Sequence, residues 1–222
     1  MTTRLKQFGT YLWSYFSDKK YLAAFVGGFA LLAISIFVNF YAGTYATEKA
    51  SNPVTDIILS NIRVYDVDEI FIYGPVVLWC FVALLGLYDL RKGPFILKSI
   101  ALFVIIRSVF ISLTHIGPFP THIALDPTSM INDFSFGGDL FFSAHTGLPF
   151  LMALLFWDDK LLRWIFIAAA VLFGVVVLMA HLHYSIDVLS AFFITFSIFT
   201  IAKYFFPRDW RLFQGDKKAL ER

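Results

Sequence analysis

Apolar residues run along this chain in six long blocks, each near the ~20 residues needed to cross a bilayer and each bounded by charged or turn-forming positions. The blocks fall at roughly 21–43, 69–88, 95–115, 138–157, 161–181 and 184–206. Gly74-Pro75 and Gly174 lie inside them, which membrane helices tolerate. Ahead of the first block, Leu5, Phe8, Leu12 and Phe16 recur at helical spacing among Arg4, Lys6, Lys19 and Lys20. That pattern, with Tyr11, Trp13 and Tyr15, predicts a helix lying in the membrane interface. The fifth and sixth blocks nearly touch, so their turn must be tight and must include HLHY, residues 181–184. The predicted fold is all-α: an amphipathic interfacial segment at 1–20, a six-helix transmembrane domain at 21–206 and a basic tail at 207–222.

Composition agrees with the pattern. Of 222 residues, 59% are hydrophobic and 15% charged, Phe occurs 27 times, and the mean hydropathy is +0.72. These values exclude an ordinary soluble domain. A formal net charge of +2 gives no reason to expect nucleic acid as a partner. Cys80, the single cysteine, excludes an intrachain disulfide framework. No internal repeat is visible, and the first apolar block is too long for a cleavable signal peptide.

The position of the charges predicts orientation. Arg91, Lys92, Lys160 and Arg163 lie in the even connections, and Lys203, Arg208, Arg211, Lys217, Lys218 and Arg222 at the C-terminal end. The odd connections hold only Lys49 and Arg63. The positive-inside rule then puts both termini in the cytoplasm. His183 and Asp187 open the sixth block from the outer face. His145 enters from the same side, about seven residues below Gly138, or roughly 10 Å at a helical rise. Arg107 and Glu69 also fall in the outer half.

Ionisable groups there need a reason, since an Asp at a membrane helix centre costs about 2.5–3.5 kcal/mol. Residues four apart share a helix face, so Asp187 can accept a hydrogen bond from one ring nitrogen of His183 and leave the other basic. His145 could then supply the opposite proton-transfer role. The competing reading is a polar pair anchoring a helix end, with His145 as a packing residue. A metal or haem site from His145, His181 and His183 lacks soft or oxygen-rich ligands, and no metal or cofactor is expected. Arg107, among aliphatic residues, suits a phosphate or an ion pair with Glu69 or Asp139. Ser143 and Thr146 could donate to phosphate oxygens or bond their own helix. His115 and His122 read as loop residues, and Asp126 and Asp133 as solvated.

GGDLFFSAHTG and AHLHYSIDVLSAFFIT resemble the two catalytic motifs of the sphingomyelin synthase family, a branch of the type-2 phosphatidic acid phosphatase (lipid phosphate phosphatase) superfamily. IRSVFISLTHIGP and DEIFIYG are similar to that family's arginine-bearing helix and its glutamate segment. The resemblance implies that His183 is the nucleophile and forms a phosphohistidine. It implies that Asp187 orients His183, and that His145 protonates the departing alcohol and later deprotonates the acceptor. Glu69, Arg107, Asp139 and Ser143 would complete the substrate site. Two departures stand out: Ala144 replaces the glycine of the family's SGHT, and Val177 stands where the phosphatases carry an arginine. Fewer cations favour a singly charged phosphodiester over a monoester.

The expected activity is transfer of a phospholipid head group to a lipid alcohol, ceramide or diacylglycerol, or to water in a phospholipase C-like reaction. The alternative is a phosphatase of phosphatidate or another lipid monoester. A small transporter or haem-binding membrane protein is the non-enzymatic reading. The expected partners are the bilayer and these lipids, with a homo-oligomer left open.

Overall fold

Eight α-helices and one 3₁₀ turn at Leu90–Lys92 account for the regular structure of the computed structural model, which describes residues 2–122 and 138–216, with side chains from residue 9 onward. The helices are α1 (Thr2–Phe16), α2 (Lys19–Glu48), α3 (Asp68–Tyr88), α4 (Gly93–Leu113), α5 (Ala144–Leu155), α6 (Lys160–Met179), α7 (Ser185–Phe205) and α8 (Pro207–Phe213). No strand occurs among the described residues. Asp126, Asp133, Lys217, Lys218 and Arg222, and the side chains of Arg4, Leu5, Lys6 and Phe8, lie outside the described residues.

Side-chain chemistry sets several boundaries. Asp18 caps α2 by accepting from the N–H groups of Lys20 and Tyr21, and Asp159 caps α6 through Leu161 and Leu162. Pro207 stands at the first position of α8, where its missing N–H costs nothing. α2 runs 30 residues, about 45 Å, beyond the ~30 Å of a bilayer core. It therefore outlasts the predicted end of the first span by more than a turn.

Among the described residues five helices are long and apolar enough to cross a membrane: α2, α3, α4 with its leading 3₁₀ turn, α6 and α7. The fourth expected span, 138–157, is not among them. Its helix is only the 12 residues of α5, about 18 Å long, and residues 138–143 are not helical. The reason lies in where the backbone of that stretch bonds. Gly138 N–H donates to Thr47 Oγ1, Arg107 takes the carbonyls of Asp139 and Phe142, and Ser143 N–H donates to the carbonyl of Asp187. Partners outside the segment replace the helical ladder. Irregular backbone among apolar helices is sustainable only where protein satisfies it in this way.

α1 and α8 meet at one end of the bundle. Tyr21, Leu90 and Leu212 are buried there against Tyr11, Leu12, Tyr15 and Phe16, and the Tyr21 hydroxyl donates to the Leu90 carbonyl at 2.9 Å. Where the sequence predicts an interfacial helix the structure has a helix, α1. Residues 207–213, expected to begin a basic tail, instead form α8 and dock under the bundle. Phe213 packs on Phe95 and Phe156, and Asp209 pairs with Lys98 at 2.5 Å. The opposite end carries the connections between α2 and α3, α4 and α5, and α6 and α7, and there the polar motifs collect.

Candidate active site

The HLHY turn is built on the end of α6. Leu182 N–H bonds to the Val177 carbonyl and His181 N–H to that of Leu178, the paired bonds of a Schellman motif. The residue in the left-handed position is His181 (φ 55°), where glycine is usual. Its Nδ1 shares a 2.7 Å hydrogen bond with Thr121 Oγ1, and its ring stands edge-on to Phe119. His181 thus faces the connection after α4. Burial lowers its basicity, an effect partly opposed by the charge of Asp56.

His183 and Asp187 come together for a different reason from the one expected. α7 starts at Ser185, so His183 is outside the helix and the pair does not share a helical face. Asp187, fully buried in the first turn, turns back over the helix start. Its Oδ2 accepts from Tyr184 N–H at 2.9 Å and lies 3.5 Å from His183 Nδ1. That second distance is an ion-pair contact, longer than a hydrogen bond. Asp187 Oδ1 and His183 Nδ1 have no hydrogen-bond partner among the described residues. The carboxylate therefore faces Nδ1, and Nε2 is the nitrogen turned away from it.

The second motif is pinned from α4. Arg107, 5% exposed in this apolar setting, donates through Nε to the Phe142 carbonyl (2.9 Å) and through Nη1 to Asp139 Oδ2 (3.1 Å). Its Nη2 donates to the Asp139 carbonyl. Of the two ion pairs weighed from the sequence, the one formed is with Asp139. Three of the five guanidinium donors are thereby used on the segment that leads into α5.

Ser143 caps α5 by position but makes no side-chain cap bond, and its buried Oγ is unpartnered among the described residues. Among the described residues no side chain accepts from the first-turn N–H groups of α5, at the positive end of its dipole. Ser143 N–H meanwhile ties the two motifs directly, bonding at 3.1 Å to the Asp187 carbonyl. His145 follows in the first turn of α5, its ring stacked on Phe71 of α3 at 4.3 Å. His145 is therefore not two turns down a helix from Gly138; it stands at a helix start.

Small residues let the helices close around this cluster. A Cβ on Gly147 would stand 2.7 Å from the Phe103 ring and 2.9 Å from Thr195 Oγ1, and one on Gly174 would stand 3.0 Å from Val188. On one side of His145 an apolar pocket of about 130 Å³ opens between α3, α5 and α6, lined by Leu78, Trp79, Leu148, Pro149 and Phe173.

The arrangement joins His145, His183, Asp187, Arg107, Asp139 and Ser143. It does not join Glu69, which is exposed in the first turn of α3 with no hydrogen-bond or ion-pair partner among the described residues. No group of three or more His, Cys, Asp or Glu among the described residues is placed to hold a metal ion. Asp56 is the residue that sequence reasoning missed. It sits in the connection after α2 and bonds Ser185 at the start of α7. An Asp in a turn is an ordinary signal, and nothing local points across 129 residues.

No curated protein and no solved structure matches the chain. A family model described as PAP2 superfamily C-terminal matches residues 137–204, the stretch from the arginine-pinned segment through α7. That match supports a place for this segment, with both histidine motifs, in the type-2 phosphatidic acid phosphatase superfamily.

Proposed function

We propose that the protein is a membrane phosphotransferase, or phospholipase C-like hydrolase, that acts on a phosphodiester lipid through a phosphohistidine on His183. The observation that carries this reading is the pairing of His183 Nδ1 with the fully buried Asp187, beside a second histidine on a separate helix. The superfamily match supports phosphatase or phosphotransferase chemistry on lipid-like phosphates.

His183 Nε2 attacks phosphorus. The bond from phosphorus to the lipid alcohol oxygen breaks, and protonated His145 gives its proton to that oxygen. Asp187 keeps Nδ1–H facing it and stabilises the imidazolium-like charge that builds on His183. In the second half, neutral His145 takes the proton of the incoming alcohol or water. That oxygen attacks phosphorus, and the P–N bond to His183 breaks. Ser143 Oγ, the first-turn N–H groups of α5 and the two free donors of Arg107 are suited to hold the phosphoryl oxygens. The apolar pocket beside His145 suits the chain of the leaving or entering lipid alcohol. This chemistry belongs to the outer leaflet, where the positive-inside rule puts the motif-bearing end.

The charge inventory favours a diester. Arg107 is the cation hydrogen-bonded to the motif segments, and Asp139 already offsets it. A doubly charged monoester would find little net positive charge. Phosphatidate hydrolysis is the competing reading, favoured by the superfamily's own chemistry. Purified protein supplied with labelled phosphatidylcholine or phosphatidylethanolamine plus ceramide decides between them. Head-group transfer, with an acid-labile label on the protein that His183→Ala abolishes, is the expected result. Inorganic phosphate released from phosphatidic acid, with the diesters untouched, would sink the diester reading.

A further inference from the structure

The connection between α2 and α3 has no task in the sequence beyond joining two spans, yet it holds the HLHY turn. Asp56, 7% exposed, makes four hydrogen bonds with one carboxylate. Oδ1 accepts from Ile58 N–H (2.8 Å) and Leu59 N–H (3.0 Å), closing its own turn. Oδ2 accepts from both the backbone N–H and the hydroxyl of Ser185, each at 2.7 Å. Ser185 is the first residue of α7, two after His183 and two before Asp187.

Other bonds tie the same turn. The Tyr184 hydroxyl donates to the Gly117 carbonyl (2.8 Å) and accepts from Val54 N–H (3.2 Å). Thr121 holds His181. Residues 181, 184 and 185 are thus each fixed from another connection, while the imidazole Nδ1 of His183 has no hydrogen bond among the described residues. Where that ring stands depends on its neighbours. Asp56 supplies the one full charge among these ties, and charged hydrogen bonds are the strong ones. It also sits at the positive end of the α7 dipole.

We propose that Asp56 is a positioning residue for the nucleophile: through Ser185 it clamps the first turn of α7, and so keeps Asp187 aligned on the His183 ring. The proposal rests on the reading of His183 as nucleophile.

Asp56→Asn is the informative change, because the isosteric amide must turn an NH₂ either to Ser185 N–H or to its own turn. Full-length protein in phospholipid vesicles is mixed with labelled phosphatidylcholine under single-turnover conditions. The expected result is a phosphorylation rate about 10- to 100-fold slower, with the plateau of labelled protein and the KM unchanged. An unfolded fraction would lower the plateau instead. Adding Ser185→Ala, slower by itself, should slow Asp56→Asn little further, because both remove one interaction. Wild-type rates in Asp56→Asn, or a lowered plateau at an unchanged rate, overturn the proposal, as does full additivity with Ser185→Ala. If Asp56→Asn fails to fold, Ser185→Ala alone decides by the same rate and plateau. Label persisting in His183→Ala would strike the nucleophile reading itself, whereas its absence there beside full speed in Asp56→Asn removes only Asp56.

Discussion

Asp187 carries two tasks with one carboxylate: it caps α7 through Tyr184 N–H and faces His183 Nδ1 from the same oxygen. The two can be separated. Asp187→Asn keeps an acceptor for the cap, so its stability should stay within about 1 kcal/mol of wild type. Turnover should fall by about 10²-fold or more, because the charge facing the imidazole is gone. Thermal unfolding and kcat measured on one preparation check this; parallel losses would mean that Asp187 acts only as a cap. Asp56 lends itself to a pH test. Burial pushes its carboxyl up, but the hydrogen bonds from Leu59, Ser185 and Ile58 outweigh this and hold it below its ordinary value of 3.8. Its contribution to stability is therefore fully present above 3.8 and lost as pH falls through the lowered folded value. Amide exchange at Ser185 should stay protected from pH 7 down to about 5; opening within that range would contradict a closed clamp.

At the scale of elements, the decisive departure is α5. Hydrophobicity marks 138–157 as one block, and so it predicts one span. It cannot report that Thr47, Arg107 and the Asp187 carbonyl draw off the backbone bonds of 138–143. The result is a helix start, with its uncapped first turn and Ser143, in the middle of the polar cluster. Close packing holds it there. Gly147→Ala would press a methyl into Phe103 and Thr195 and should cost about 1–3 kcal/mol. It should also lower kcat more than the same change at Gly86, which has nothing within 4 Å of its Cβ position. Equal effects at the two glycines would deny α5 this role.

For the whole molecule, the ends of the bundle divide the work. One end gathers α1, the 3₁₀ turn and α8, with Lys92 over Phe156 and Lys203 over Phe199 and Trp210. The other gathers the connections that hold both histidines. In a Cys80→Ser background, cysteines at Arg63 and Arg211 should label from opposite sides of sealed vesicles, with Arg211 on the cytoplasmic side. Labelling of both from one side would break the topology on which the outer-leaflet site depends.

The number of apolar blocks, the tight HLHY turn and the list of odd polar residues were legible in the sequence, since hydrophobic runs and intramembrane charge are local properties. His145, His183, Asp187, Arg107, Asp139 and Ser143 stand out in the sequence one by one, but how they meet does not. His183 and Asp187 look like a helical i, i+4 pair, and they meet instead through a cap around a helix start. Glu69 reads as part of the site and lies exposed; Asp56 is not singled out by the sequence and grips α7. Contacts such as Asp56–Ser185 and Arg107–Asp139 join residues 129 and 32 positions apart. They exist only once the helices have packed, because a hydrogen bond depends on distance in space and leaves no trace in the periodicity of either segment.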